Sequence, residues 1–158
     1  MPLRLHLVAV GQRLPRWVDD GYAEYARRLG GDVALRLVEV PLAARARGLP
    51  TARAVAAEGE RLLAAVPDGA LVVALAIDGT PWSTAELAAR LDAWSAAGRD
   101  VALLVGGPDG LAPACLARAE ARWSLGPLTL PHPLVRVVVA EALYRAASLR
   151  AGHPYHRA

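Results

Sequence analysis

The chain has 158 residues, 54% of them hydrophobic, and a net charge of +3 from 18 basic and 15 acidic side chains. That length fits one domain with a buried core; no apolar run is long enough to span a bilayer, and the opening MPLRLHLVAV lacks the apolar stretch and cleavage site of a signal peptide. A single cysteine, Cys115, excludes an internal disulfide framework and a cysteine-built zinc cage, so a cytoplasmic protein is expected, and the small positive charge permits an RNA partner without requiring one.

All the arginine-or-lysine positions are arginine, Asn and Phe are absent, and Ile77 is the single isoleucine. The missing residues share AT-rich codons, so this bias reports a GC-rich genome rather than a mechanism. An aromatic content of 5% argues against a stacking platform for single-stranded nucleic acid.

Apolar runs alternate with helical patterns along the chain, the sign of an α/β protein with a mainly parallel sheet. Leu3–Val10 is a strand carrying His6, which is read as structural. Trp17–Leu29 is a helix with Trp17, Val18, Tyr22, Tyr25 and Leu29 near one face and Asp19, Asp20 and Glu24 on a solvated one. Val33–Val40 alternates enough to be a strand near an edge. A basic loop with Arg45 and Arg47 follows, and Thr51 is placed to cap a helix running to about Ala65. Leu71–Ile77 is a buried strand, turned at Asp78-Gly79. Ser83 or Thr84 caps a helix ending near Gly98, and Val101–Val105 is a central strand. Pro113–Ala121 is helical with a buried Cys115, Arg122–Leu125 is a short strand, and Leu134–Arg150 is the last helix. No internal repeat or long linker divides the chain.

Three segments carry residues suited to chemistry. Gly106-Gly107-Pro108-Asp109-Gly110 follows a buried strand, where glycines allow a ligand close to the backbone. It matches neither a dinucleotide fingerprint nor a P-loop, and a plain strand–turn–helix corner explains it equally. Gly126-Pro127-Leu128-Thr129-Leu130-Pro131 is stiff and apolar, with backbone groups that need partners. A heterocyclic ligand edge can supply them, and so can neighbouring backbone. The third segment is the C-terminus, which holds three of the four histidines. His132 lies between two prolines that restrict the local backbone. Arg136, Glu141 and Arg145 follow, the last two an i,i+4 pair whose bland reading is a solvated ion pair. The chain then ends in His153, Tyr155, His156 and Arg157, polar groups that a frayed terminus does not need for packing.

The segments LHLVAVGQRLPRWVDDGYAEYARRL, ALAIDG, LLVGGPDGL, WSLGPLTLPHPLVRVVVAEALYRA and GHPYHR, in this order, make the chain resemble the RlmH family, small SPOUT-class methyltransferases of bacterial ribosomal RNA. The PHPLVR and HPYHR blocks carry most of that resemblance. It implies a single SPOUT methyltransferase domain over residues 1–158, an α/β sheet whose C-terminal segment is threaded into a trefoil knot, an exception to the usual topology rules. It further implies a homodimer, S-adenosylmethionine as methyl donor, and methylation at N3 of a pseudouridine in a 23S rRNA stem–loop on the assembled ribosome, with no metal. By position, the resemblance assigns cofactor binding to Leu75, Gly106, Gly107, Gly126, Pro127, Leu128, Thr129, Leu130 and Pro131. It assigns the active site to His132, Glu141, Arg145, Tyr155 and His156, with Arg136 a weaker candidate. The proton acceptor stays open among His132, Tyr155 and His156. Two rivals also stand: a SPOUT enzyme for another RNA nucleotide, and a ribosome-binding protein without catalysis, which binding of the cofactor would separate.

Overall fold

The computed structural model describes residues 2–156; of His156 it describes the backbone alone, and Arg157 and Ala158 lie outside it. Five strands, β1 (Leu3–Val10), β2 (Val33–Val40), β3 (Leu71–Pro81), β4 (Val101–Val105) and β5 (Ala121–Ser124), form one sheet in the order β2-β1-β4-β3-β5. Every pairing is parallel. Five helices connect and cover them: α1 (Arg16–Ala26), α2 (Thr51–Ala64), α3 (Thr84–Ala97), α4 (Pro113–Arg118) and α5 (His132–Arg150).

Strand side chains alternate between the two faces. Leu5, Leu7, Val73, Leu103 and Trp123 pack with Tyr22 of α1, Leu91 of α3 and Leu143 of α5. Val8, Val10, Val72, Ala102 and Leu104 face the other way, toward Leu62 of α2 and Cys115 of α4. Helices α1, α3 and α5 therefore cover one side and α2 and α4 the other. All of β4 is buried, as a central strand sandwiched between helices must be. The strand β2 is at one edge, and His6 Nε2 lies 2.9 Å from Asp100 Oδ2 at the amino end of the sheet, a structural pairing.

Several boundaries differ from the sequence expectation for identifiable reasons. The strand β3 does not turn at Asp78-Gly79: it runs on to Pro81, and its register with β5 shifts between Leu75 and Thr80. Gly79 permits this, because a Cβ there would lie 2.7 Å from the carbonyl carbon of Arg122. Thr51 makes no cap bond; Pro50 is the N-cap of α2. Trp17 is 59% exposed, because α1 buries Val18 and Tyr22 instead. Helix α5 starts two residues earlier than expected, so His132 is its first residue rather than a loop side chain.

Candidate active site

The carboxyl ends of β3, β4 and β5 open into one crevice, the location at which parallel sheets bind ligands. Its volume is about 400 Å³, within the range of small-molecule sites. Leu75, Gly106, Gly107, Gly126, Leu128, Thr129, Leu130 and Pro131 all line it, joined by His132. Of the residues expected to hold a cofactor, only Pro127 is not in the lining. Ile77 and Leu128 form a rim that is 66% and 76% exposed, apolar surface that a ligand would cover.

The geometry fits an adenine-bearing cofactor. Among the described residues, the backbone groups of Leu128, Thr129 and Leu130 make no hydrogen bond, so the loop presents free donors and acceptors to a heterocyclic edge. Ser124 fixes the loop's root, its Oγ accepting from the Gly126 N–H at 3.1 Å. At the other wall Gly106 is tightly placed: a Cβ would lie 2.5 Å from the carbonyl carbon of Gly110. The vacant Cβ direction of Gly107 points to Val10 and Glu58, at 3.0 and 3.3 Å, and so into the core beneath the turn.

His132 lines this crevice, half-buried, with Nδ1 out of contact with water and without a hydrogen-bond partner. Burial first, and then the charge of Arg136, hold its imidazole below the usual histidine range. Arg136, the weaker candidate, does not line the crevice. It is fully buried, donating to Glu39 Oε2 at 2.6 Å and to the Gly11 carbonyl at 3.3 Å, and so it anchors α5 to the ends of β1 and β2.

Glu141, Arg145 and Tyr155 make a second cluster. Glu141 Oε2 accepts from Arg145 Nη2 and from the Tyr155 hydroxyl, both at 2.9 Å. The Arg145 guanidinium lies 4.9 Å from the centre of the Tyr155 ring, which also tilts against Tyr144 with centres 4.5 Å apart. Burial and the bond to Glu141 push the Tyr155 phenol up to about 12, so it stays protonated at neutral pH. None of the three lines the crevice. At about 1.5 Å per residue, Glu141 is about 14 Å along α5 from His132 and Arg145 about 20 Å. The crevice histidine and this cluster are thus separated along one helix, and the side chain of His156 lies outside the described residues.

Sequence reasoning missed Glu58 and the contacts that join it to Arg45 of the basic loop and Asp109 of the glycine turn. Glu58 is 1% exposed on α2 and receives the Ala43 N–H at 3.1 Å and the Arg45 guanidinium. Arg45 donates in turn to Asp109 Oδ2 at 2.8 Å. The available signal was Glu58 sitting in the buried stripe Ala54, Val55, Gly59, Leu62 of its helix. Among the described residues, no group of three or more His, Cys, Asp and Glu is placed to hold a metal, and no helix is long and apolar enough to cross a membrane.

Comparison with known proteins agrees with this architecture. The family described as "Predicted SPOUT methyltransferase" matches residues 3–156. A ribosomal RNA large subunit methyltransferase H of Alkalilimnicola ehrlichii is 59% identical, with 99% of this chain and 100% of the relative covered. One of the same name from Thioalkalivibrio sulfidiphilus is 57% identical, covering 98% and 99%. Among solved structures, a probable methyltransferase from Bordetella pertussis superposes with a TM-score of 0.54 at 18% identity, covering 91% of this chain and 96% of the other. A probable methylase family protein from Haemophilus influenzae gives 0.52 at 18%, covering 99% and 70%. The matched residues include every strand and helix described above, and the chain belongs to the SPOUT methyltransferase family.

Proposed function

We propose that this chain is a cytoplasmic, S-adenosylmethionine-dependent methyltransferase of large-subunit ribosomal RNA, working as a homodimer of single-domain protomers at N3 of a pseudouridine in a 23S rRNA stem–loop on the assembled ribosome. The observation that carries this reading is the crevice at the carboxyl ends of β3, β4 and β5, apolar, open at the rim and walled by a loop with unpaired backbone groups. The name shared by relatives at 59% and 57% identity supports the RNA substrate. The trefoil threading of the C-terminal segment belongs to the same reading, with the strand order and the packing of α5 between α1 and α3 as its frame.

When bound, S-adenosylmethionine supplies an electrophilic methyl group on a sulfonium. The residues of the chain do the rest. The 126–131 loop and Leu75 would seat the adenosine, and the Gly106–Gly107 backbone, which lines the same crevice, would meet the amino-acid end. Methyl transfer to the target nitrogen would break the sulfur–methyl bond and leave S-adenosylhomocysteine, and the imide N–H would have to give up its proton. His132, kept neutral by burial and by Arg136, accepts that proton or passes it on. Tyr155, held as a neutral phenol, does not; it orients the base, with Arg145 beside it to meet a carbonyl or phosphate oxygen. A second copy brings its Glu141–Arg145–Tyr155 cluster to the first copy's His132, with His156 part of the same tail.

Two measurements test this. Calorimetry with S-adenosylhomocysteine should show one site per chain, and no binding would overturn the crevice assignment. Mass spectrometry of rRNA nucleosides from a deletion strain should show a methylated pseudouridine only when this chain is restored. Its absence alongside intact cofactor binding would overturn the target.

A further inference from the structure

We propose that Arg45 is a positioning residue that latches the 41–50 segment to the Gly106–Gly110 turn, so that the cofactor crevice and the basic segment beside it are set as one unit. The inference rests on the proposed function only for what the two parts bind.

The latch has three members. Glu58, buried on α2, spends Oε2 on the Ala43 N–H and on Arg45 Nη1. Arg45 Nη1 also donates to its neighbouring Ala43 carbonyl at 2.8 Å, which bends the segment around the guanidinium. The free edge of the fork, Nη2 and Nε, reaches Asp109 Oδ2 at 2.8 and 3.3 Å. A planar guanidinium with several fixed donors can bridge a buried carboxylate and an exposed one in this way; a lysine ammonium cannot hold the same angles. Asp109 is at the tip of the turn whose neighbours Pro108 and Gly110 line the crevice. Beneath it, the vacant Cβ direction of Gly107 is filled by Val10, Glu58 and the Leu42 side chain, so the turn lies flat on both helix and segment. The Arg45 and Asp109 side chains are 29% and 44% exposed, where an ion pair adds little stability. What it adds is geometry: the turn cannot shift without moving the segment. Arg47, two residues on, is exposed and makes no ion pair among the described residues, which leaves its charge for phosphate.

The test uses the full chain. In hydrogen exchange on cofactor-free protein, Asp109→Asn should speed the amides of residues 43–49 and 107–110 together, and Asp109→Glu should restore most of the protection. Exchange that quickens at the turn alone would overturn the latch. In calorimetry, Asp109→Asn should weaken S-adenosylhomocysteine roughly fivefold to tenfold, within the usual span of coupled sites, and Asp109→Glu should recover it. Unchanged affinity in Asp109→Asn would overturn the latch as well. A wild-type chain that binds no cofactor would instead defeat the functional reading, while the exchange experiment still decides the latch.

Discussion

His132 and Arg136 sit one helical turn apart on α5, yet they do opposite work. Arg136 spends its charge on Glu39 and on backbone carbonyls, and its burial beside His132 disfavours a second positive charge there. The sign of the pH dependence follows. In the unfolded chain His132 titrates near about 6.5, and in the folded chain lower. Between those two values the unfolded state binds more protons, so this residue's contribution to stability is full above about pH 6.5 and is lost as pH falls through the folded value. We expect His132→Gln to flatten that part of the pH–stability curve, read as the difference between variant and wild type in urea melts from pH 7.5 to 5.0. A parallel curve would show the imidazole unperturbed. Gly106 gives a second residue-scale expectation. Alanine there forces the Gly106–Gly110 turn open, because its Cβ would meet the Gly110 backbone. Gly106→Ala should lose cofactor affinity at least tenfold, on the order of the coupling energies that link such sites, with near-normal helical circular dichroism; calorimetry at wild-type strength would refute it.

Among the elements, β1, β2 and β4 were legible to the residue, because each is an apolar or alternating run bounded by residues that do not continue it. The end of β3 was not. Asp78-Gly79 has turn chemistry, and only the close approach of the Arg122 backbone explains why glycine is needed inside a strand. Thr51 misled in a similar way, since a good capping residue followed a proline that already occupied the cap. Ser83 did not mislead: its hydroxyl accepts the Glu86 N–H at 3.1 Å and starts α3. Ser83→Ala should therefore cost about 1 kcal/mol, seen as a lower urea midpoint at unchanged slope; no shift would show that packing alone sets the start of α3. The crevice was legible only in part: glycines and prolines at strand ends left a ligand and a plain connection both open, and the family resemblance assigned cofactor residues there. The Glu58–Arg45–Asp109 contacts were not, because they join residues 13 and 64 positions apart, and nothing local marks a pairing of that range.

At the scale of the whole molecule, the proposed dimer rests on the separation of His132 from the Glu141–Arg145–Tyr155 cluster along α5. His132 opens the crevice end of α5, whereas Tyr155 folds back on Glu141 at its middle. A mixture of His132→Ala chains with chains truncated before Pro154 should therefore recover methyl transfer, because hybrid dimers hold one intact pair of halves. At equal mixing about half the dimers are hybrids, so recovery should approach about a quarter of wild-type sites if each hybrid has one working site. Ribosome methylation assays on the mixed chains, with each variant alone as a blank, would read this directly, and no recovery would show that each site is complete within one chain. Helix α5 then acquires the role of a gauge. Its 19 residues set both the spacing and the angular phase between the crevice histidine and the tail cluster. One inserted residue would lengthen the gauge by only about 1.5 Å, yet swing the cluster by about 100° around the helix axis. Surface loops tolerate insertions of several residues; this helix should tolerate none between 136 and 141, even where the inserted residue is alanine and the fold survives.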